Sequence, residues 1–179
     1  MPSRPRSALP AAIVLAAALL AMAAAGGAPA RTPACRYAKL KPRSSNLAKV
    51  RSAVRCLVNR ERTRRGLAAL RASAPLAKAA QRHSVRMVRG RFFEHDGPDG
   101  TPRSRVRAAG YDGRRIGENI AWGSGSYSTA GATVSNWMHS PPHRGNILDR
   151  HFKDTGVGVA VGSPEGGPGA TYTQTFGGD

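Results

Sequence analysis

From Leu47 onward the apolar residues Leu47, Val50, Val54, Leu57 and Val58 recur at steps of three and four, the spacing that lines one face of an α-helix. Ser45 or Asn46 can cap this helix and Gly66 can stop it. The opposite face carries Arg51, Arg55, Arg62 and Arg65, so the pattern predicts a helix that buries valine and leucine and shows arginine to solvent. A second helix opens with Pro75 in its first turn and runs to about Gly90, with Leu76, Ala80, His83 and Met87 as its stripe. On such a packed face His83 reads as a hydrogen-bonded core residue rather than a ligand. Residues 92–100 are rich in turn formers, and Pro102 to Ala109 reads as a short helix ended by Gly110.

The period then changes from three-and-four to two. Ile116 to Trp122 alternates, with Ile116, Glu118, Ile120 and Trp122 on one face of a strand and Gly117, Asn119 and Ala121 on the other. A carboxylate among apolar neighbours is costly unless it is paired or neutralised. A helix from about Thr129 to His139 sets Val134, Trp137 and Met138 on one side, and Pro141-Pro142 stops it. Gly156 to Val161 and Thr171 to Phe176 alternate again, joined by the glycine-rich residues 162–170, and together predict an antiparallel hairpin. Helices first, then strands mixed with helices, give an α+β class: helices packed on a small, mostly antiparallel sheet.

Composition adds the compartment. A chain of 179 residues with 40% hydrophobic residues fits one globular domain. Residues 1–30 are set apart: Arg4 and Arg6 precede an apolar run from Ala11 to Ala25 and an Ala28-Pro29-Ala30 site, the pattern of a secretory signal peptide. The run is short for a bilayer span of about 20 residues, so no transmembrane anchor is expected after its removal, and the mature protein is expected to be secreted. Residues 31–46 form a polar N-terminal arm and 47–179 the folded domain. In an exported chain Cys35 and Cys56 favour a disulfide that ties this arm to the first helix, two free thiols being the alternative.

Charge is uneven. The formal total is +18, with residues 31–93 carrying +17 and residues 94–179 carrying −1. Outside the cytoplasm such a surface attracts anionic envelope polymers or lipids, and nucleic acid is not expected because aromatic platforms and known nucleic-acid motifs are missing. Of the 28 basic residues 23 are arginine in a chain crowded with alanine and glycine, so codon bias with simply solvated helix faces explains the charge equally well.

Three titratable residues sit beside glycine or proline at element edges: His95, Glu118 and His143. Two imidazoles and a carboxylate suit zinc or another divalent ion, but gaps of over twenty residues carry no geometric information. HExxH, GxSxG, P-loop and GxGxxG patterns are absent from the sequence, so zincin proteases, α/β-hydrolases and nucleotide cofactors are not supported.

From about Leu57 to Gly178 an ordered series of segments changes the weights. It comprises Leu57-Val58-Asn59-Arg60-Glu61-Arg62 with Gly66-Leu67, then Leu76 to Met87, Phe93-Glu94-His95 and Gly117-Glu118-Asn119-Ile120-Ala121. It continues with Trp137-Met138-His139-Ser140-Pro141-Pro142-His143-Arg144-Gly145-Asn146-Ile147-Leu148, Gly156-Val157-Gly158-Val159 and Tyr172 to Gly177. In this series the chain resembles the CAP superfamily (cysteine-rich secretory proteins, antigen 5, pathogenesis-related 1), in its bacterial SCP-like branch. The resemblance implies a three-layer α-β-α sandwich with a central cleft, lined in eukaryotic relatives by two His and two Glu able to hold a divalent metal. By motif His95, Glu118 and His143 match three of the four, while Ser140 stands where the second Glu would be.

Two functions are therefore weighed. One is a secreted binding module whose cleft holds a metal ion or a small, apolar ligand while the basic helices hold it near an anionic envelope. The other is a hydrolase in which a metal, or Glu118 as general base, activates water at His95, Glu118 and His143. With no clear nucleophile in the sequence, binding is favoured.

Overall fold

The computed structural model describes Met1 and residues 34–179, so the predicted signal segment lies outside the described residues. Five helices, α1 (Leu47–Thr63), α2 (Ala74–Gly90), α3 (Pro102–Ala108), α4 (Ala130–His139) and α5 (Pro141–Leu148), accompany four strands, β1 (Arg71–Ala72), β2 (Arg115–Gly123), β3 (Asp154–Val161) and β4 (Ala170–Gly178). The strands form one sheet in the order β1-β3-β4-β2, antiparallel except where the two residues of β1 run parallel to β3. Helices α1, α4 and α5 cover one face and α2 with α3 the other, which gives the expected α-β-α sandwich.

The two faces are packed by different chemistry. Toward α1 and α4 the sheet turns Val157, Val159, Tyr172 and Phe176, which join Val50, Val54, Val58, Val134 and Trp137 in the main core. Trp137 donates its indole N–H to Ile120 O at 3.1 Å, and the Tyr172 hydroxyl donates to Ser128 O at 2.6 Å, so both large aromatics keep a partner when buried. Toward α2 the sheet is nearly smooth. A Cβ on Gly156 would lie 2.0 Å from Ala77 N, and one on Gly158 2.2 Å from Ala80 O, so the helix backbone rests on the strand backbone. Thr175 Oγ1 donates to Leu76 O at 3.0 Å and Thr173 Oγ1 receives the Ser84 hydroxyl at 2.9 Å, fastening α2 where no side chains fit between.

The arm is tied down at two points. Cys35 and Cys56 form the disulfide, with Cα atoms 5.6 Å apart. Closing this loop restricts the unfolded chain by about 3 kcal/mol. Gly131 N donates to Ala38 O at 2.8 Å, which joins the arm to the start of α4.

Two expectations need correction, and one strand, β1, has no counterpart in the sequence pattern. Pro141 and Pro142 do not only stop α4; they occupy the first turn of α5, where a missing N–H leaves no helical bond unmade. Strand β1 is too short to show a period and exists by pairing with β3. Arg62 is not on the basic surface. It is 1% exposed, and its Nε donates to Ala68 O at 2.8 Å, Nη1 to Ile147 O at 2.8 Å and to Asp149 O at 2.9 Å, and Nη2 to Phe152 O at 3.3 Å. Burial lowers its pKa, with nearby Asp149 partly offsetting the effect. Of the other three arginines, Arg55 and Arg65 are exposed, Arg65 pairing with Glu61 at 2.7 Å, and the half-buried Arg51 donates to Gln81 Oε1 at 3.0 Å.

Candidate functional site

Glu118 lies on the edge strand β2 with its carboxylate only 1% exposed. It is not left uncompensated: Arg105 Nη2 donates to Glu118 Oε1 at 2.9 Å and to Oε2 at 2.8 Å. The Arg105 side chain is itself 4% exposed, so this is a buried ion pair, in which losing either partner strands a charge away from water. Arg105 reaches β2 from α3, a helix started by Thr101, whose hydroxyl accepts from Ser104 N at 3.2 Å.

The same guanidinium holds the loop that carries His95. Nη1 of Arg105 donates to His95 O at 2.9 Å and to Gly100 O. His95 Nδ1 then meets Glu118 Oε1 at 3.0 Å while its side chain stays 48% exposed. One ring nitrogen is thus fixed by the acid, and the other, Nε2, is left as the open group. His83, fully buried on α2 as expected, braces the loop from behind: Nδ1 lies 3.1 Å from an Asp99 carboxylate oxygen and Nε2 3.0 Å from Glu94 O. Its Nε2 is also 3.9 Å from Glu118 Oε1.

His143 arrives from α5. Asn119, next to Glu118, donates to His143 O at 3.0 Å, and Asn146 donates to Glu118 O at 3.1 Å and to Asn119 Oδ1 at 2.9 Å. These amides lace α5 to β2 and set His143 beside the carboxylate's strand. Burial lowers the His143 pKa and the charge of neighbouring His95 lowers it further, so this imidazole is neutral at pH 7. Its Nδ1 shares a hydrogen bond with Ser140 Oγ at 2.8 Å.

The structure therefore brings His95 and Glu118 into direct contact and seats His143 next to them. As a ligand set they do not fit a divalent ion as placed. Both Glu118 oxygens are held by Arg105, Ser140 supplies a hydroxyl that is turned to His143, and no group of three or more His, Cys, Asp or Glu side chains is placed to hold a metal among the described residues. For Glu118 to ligate, the buried guanidinium would have to lose its counter-charge, which costs several kcal/mol. Glu118 is equally ill placed as a general base, since neither oxygen is open.

Arg105, Asp99 and His83 complete a site that residue patterns alone do not assemble. The signal for Arg105 is indirect: an acid at an inward strand position requires a cation, and the helix just before it offers Arg103, Arg105 and Arg107 with nothing in the sequence to choose among them.

The sequence pattern of the cysteine-rich secretory protein family (CAP) matches residues 56–176. The chain is 35% identical over 121 residues to the uncharacterized protein YkwD of Bacillus subtilis, covering 67% of this chain and 44% of that protein. It is 34% identical over 104 residues to the uncharacterized membrane protein YlbC of the same organism, covering 58% of this chain and 29% of that one. It thus spans less than half the length of either relative. The crystal structure of an extracellular protein containing an SCP domain from Bacillus anthracis is similar at a TM-score of 0.62 and 29% identity, over 75% of this chain and 41% of that chain. An outer surface protein of Borrelia burgdorferi shares the fold at a TM-score of 0.63 and 18% identity, over 77% of this chain and 96% of that one.

Proposed function

The chain belongs to the cysteine-rich secretory protein (CAP) family, and from that premise we propose that it is an extracellular binding domain. Its cleft at His95, Glu118 and His143 receives a small ligand, and its basic outer surface, with Arg55 and Arg65 exposed on it, holds it against anionic envelope polymers or lipids. The observation that carries this reading is the Arg105–Glu118–His95 contact: the acid is paired and sequestered, while the His95 imidazole that it orients stays about half exposed. Such a group accepts or donates a hydrogen bond to a bound molecule without reorganising. The extracellular placement draws on the SCP-domain protein of Bacillus anthracis and on the disulfide, a bond that persists in oxidising compartments.

A hydrolase is the second reading, and one contact favours it: the Ser140 hydroxyl lies against the neutral His143 ring, a nucleophile beside a base. The two readings separate experimentally. Protein labelled at its histidine rings is followed by NMR while soluble envelope fractions are added. Binding moves the His95 and His143 signals together and returns the fractions chemically unchanged; turnover of peptide, ester or glycan that is lost in Ser140→Ala would replace binding by hydrolysis. For the surface, retention on phosphatidylglycerol vesicles is expected to fall steeply between low and high salt, and salt-insensitive retention contradicts it.

A further inference from the structure

Past the short β1, strand β3 has no neighbouring strand on that side from Val157 to Val161. Thr155 O accepts from Ser73 N at 3.0 Å, while Gly162 N donates to Gly169 O at 2.7 Å across the hairpin. Successive residues of a strand turn their N–H and C=O groups to opposite sides, so Val157, Val159 and Val161 present theirs to the open edge. At Val159 a side chain stands in for the missing strand. Gln81 Nε2 donates to Val159 O at 3.0 Å and its Oε1 accepts from Val159 N at 3.1 Å, the two bonds that a paired strand would make. Arg51 Nη1 donates to the same Oε1 at 3.0 Å, so the amide is held from α1 as well as carried by α2. Among the described residues no such bond to β1, α1 or α2 reaches Val157 or Val161. A free strand edge of this kind is a template for another strand.

Two grooves flank the Gln81–Arg51 bridge. One, of about 290 Å³, lies over Thr155, Gly156 and Val157 and is walled by Arg51 and Arg55 of α1 and Ala77 of α2. The other, of about 220 Å³, lies over Val159, Ala160 and Val161 and is walled by Val85, Val88 and Arg89 of α2. Val161 is 44% exposed, a large apolar side chain left at the end of this groove. Gln81 and Arg51 are only half-buried, so two movable side chains divide what is otherwise one trough along β3. Among the described residues no Asp or Glu lines either groove, and no ion pair engages Arg51, Arg55 or Arg89. We propose that this trough docks an acidic, extended segment of a partner protein, which adds to β3 as a further strand and displaces the Gln81 amide. Its main chain bonds Val157, Val159 and Val161. Val157 and Val159 face α1 while Gly156 and Gly158 face α2, so the side chains of the added strand alternate likewise. Acidic ones meet Arg51 and Arg55, and small apolar ones lie on Ala77 and Val85. An anionic polymer without peptide groups answers the arginines but not the strand edge. A second copy of this chain is opposed by charge, since edge-to-edge pairing brings the same arginines together.

This surface lies on the side of the sheet away from β2 and does not depend on the cleft reading. The probe is a blocked, fluorescently labelled hexapeptide of alternating glutamate and valine, titrated into the folded protein and followed by anisotropy. It is expected to bind. The same peptide with lysine in place of glutamate, or with its peptide nitrogens methylated so that they cannot donate, should bind at least tenfold more weakly. Bound peptide should slow hydrogen exchange at the Val157 and Val161 amides and leave β2 unaffected. Gln81→Ala, which clears the edge, should tighten binding at least threefold. Val161→Pro removes an outward N–H where a sheet tolerates proline, and should weaken binding at least tenfold. Arg51→Glu with Arg55→Glu should do the same, so the result stays decisive if one of these variants fails to fold. Absence of binding, equal affinity for the lysine or methylated peptide, or undiminished binding in either folded variant overturns the proposal. Binding that Gln81→Ala does not tighten, or protection along β2 in place of β3, also overturns it. A dimer seen in sedimentation without peptide and dissolved by Val161→Pro would give the edge to a second copy instead.

Discussion

Two arginines lie buried on opposite sides of the sheet, and their surroundings could hardly differ more. Arg62, between α1 and the α5–β3 connection, meets four backbone carbonyl groups and no side-chain carboxylate within bonding distance. Arg105, between α3 and β2, meets a buried carboxylate and the loop that presents His95. The first guanidinium ties chain segments whose carbonyls would otherwise be stranded. The second ties a functional side chain into one orientation. Burial of an arginine thus says nothing by itself about function; the kind of acceptor it meets does. Carbonyls mark a staple, and a carboxylate in contact with an exposed imidazole marks a site.

The sharpest way to break this contrast is Arg105→Met. It leaves the Glu118 charge buried without a partner, and the expected loss is about 4 kcal/mol in denaturant unfolding. A loss below about 1 kcal/mol would mean that Glu118 reaches water. Next comes Arg62→Met, expected to cost about 3 kcal/mol by leaving buried carbonyls unpaired, with no change in ligand binding at the cleft. A binding defect equal to that of Arg105→Met would erase the distinction between staple and site. Third, adding Glu118→Met to Arg105→Met should recover about 2 kcal/mol, because it removes the stranded charge; a double-mutant cycle showing simple additivity would deny that the two residues act as a pair. No second substitution of that kind can rescue Arg62→Met, whose acceptors are backbone. The smallest effect is in pH. His143 has a folded pKa below its ordinary 6.5, so below pH 6.5 the unfolded chain takes up the proton first and stability falls with decreasing pH until the folded value is reached. His143→Gln should flatten that slope, which is at most about 1.4 kcal/mol per pH unit. A slope unchanged in the variant would assign it to another group.

Much of this is legible from residue order, and the exceptions have physical reasons. The period of α1, α2 and α4 and the alternation of β2, β3 and β4 place those elements, because each buries one face against a neighbour. Arg62 escapes that reading although it follows Val54 and Val58 at steps of four: its hydropathy outweighs its position, and only the free carbonyls of distant segments explain why a cation belongs there. The candidate residues His95, Glu118 and His143 emerge from their places at element edges and from motif resemblance, while Arg105 does not, since one of three arginines on a short helix looks like solvated surface until the acid it serves is in place. Helix α5 is hidden because two prolines read as an end, when at the first turn they serve as a beginning.

Strand β4 is buried along all nine residues and lies between β3 and β2, yet in chain order it comes after every other element. A polypeptide delivered from its N-terminus offers the two flanking strands long before the one that must lie between them. Until residue 170 onward emerges, both keep an unsatisfied edge and the threonine ladder beneath α2 does not exist. Assembly of the sandwich is therefore deferred until this strand, the last element in chain order among the described residues, is available to both neighbours.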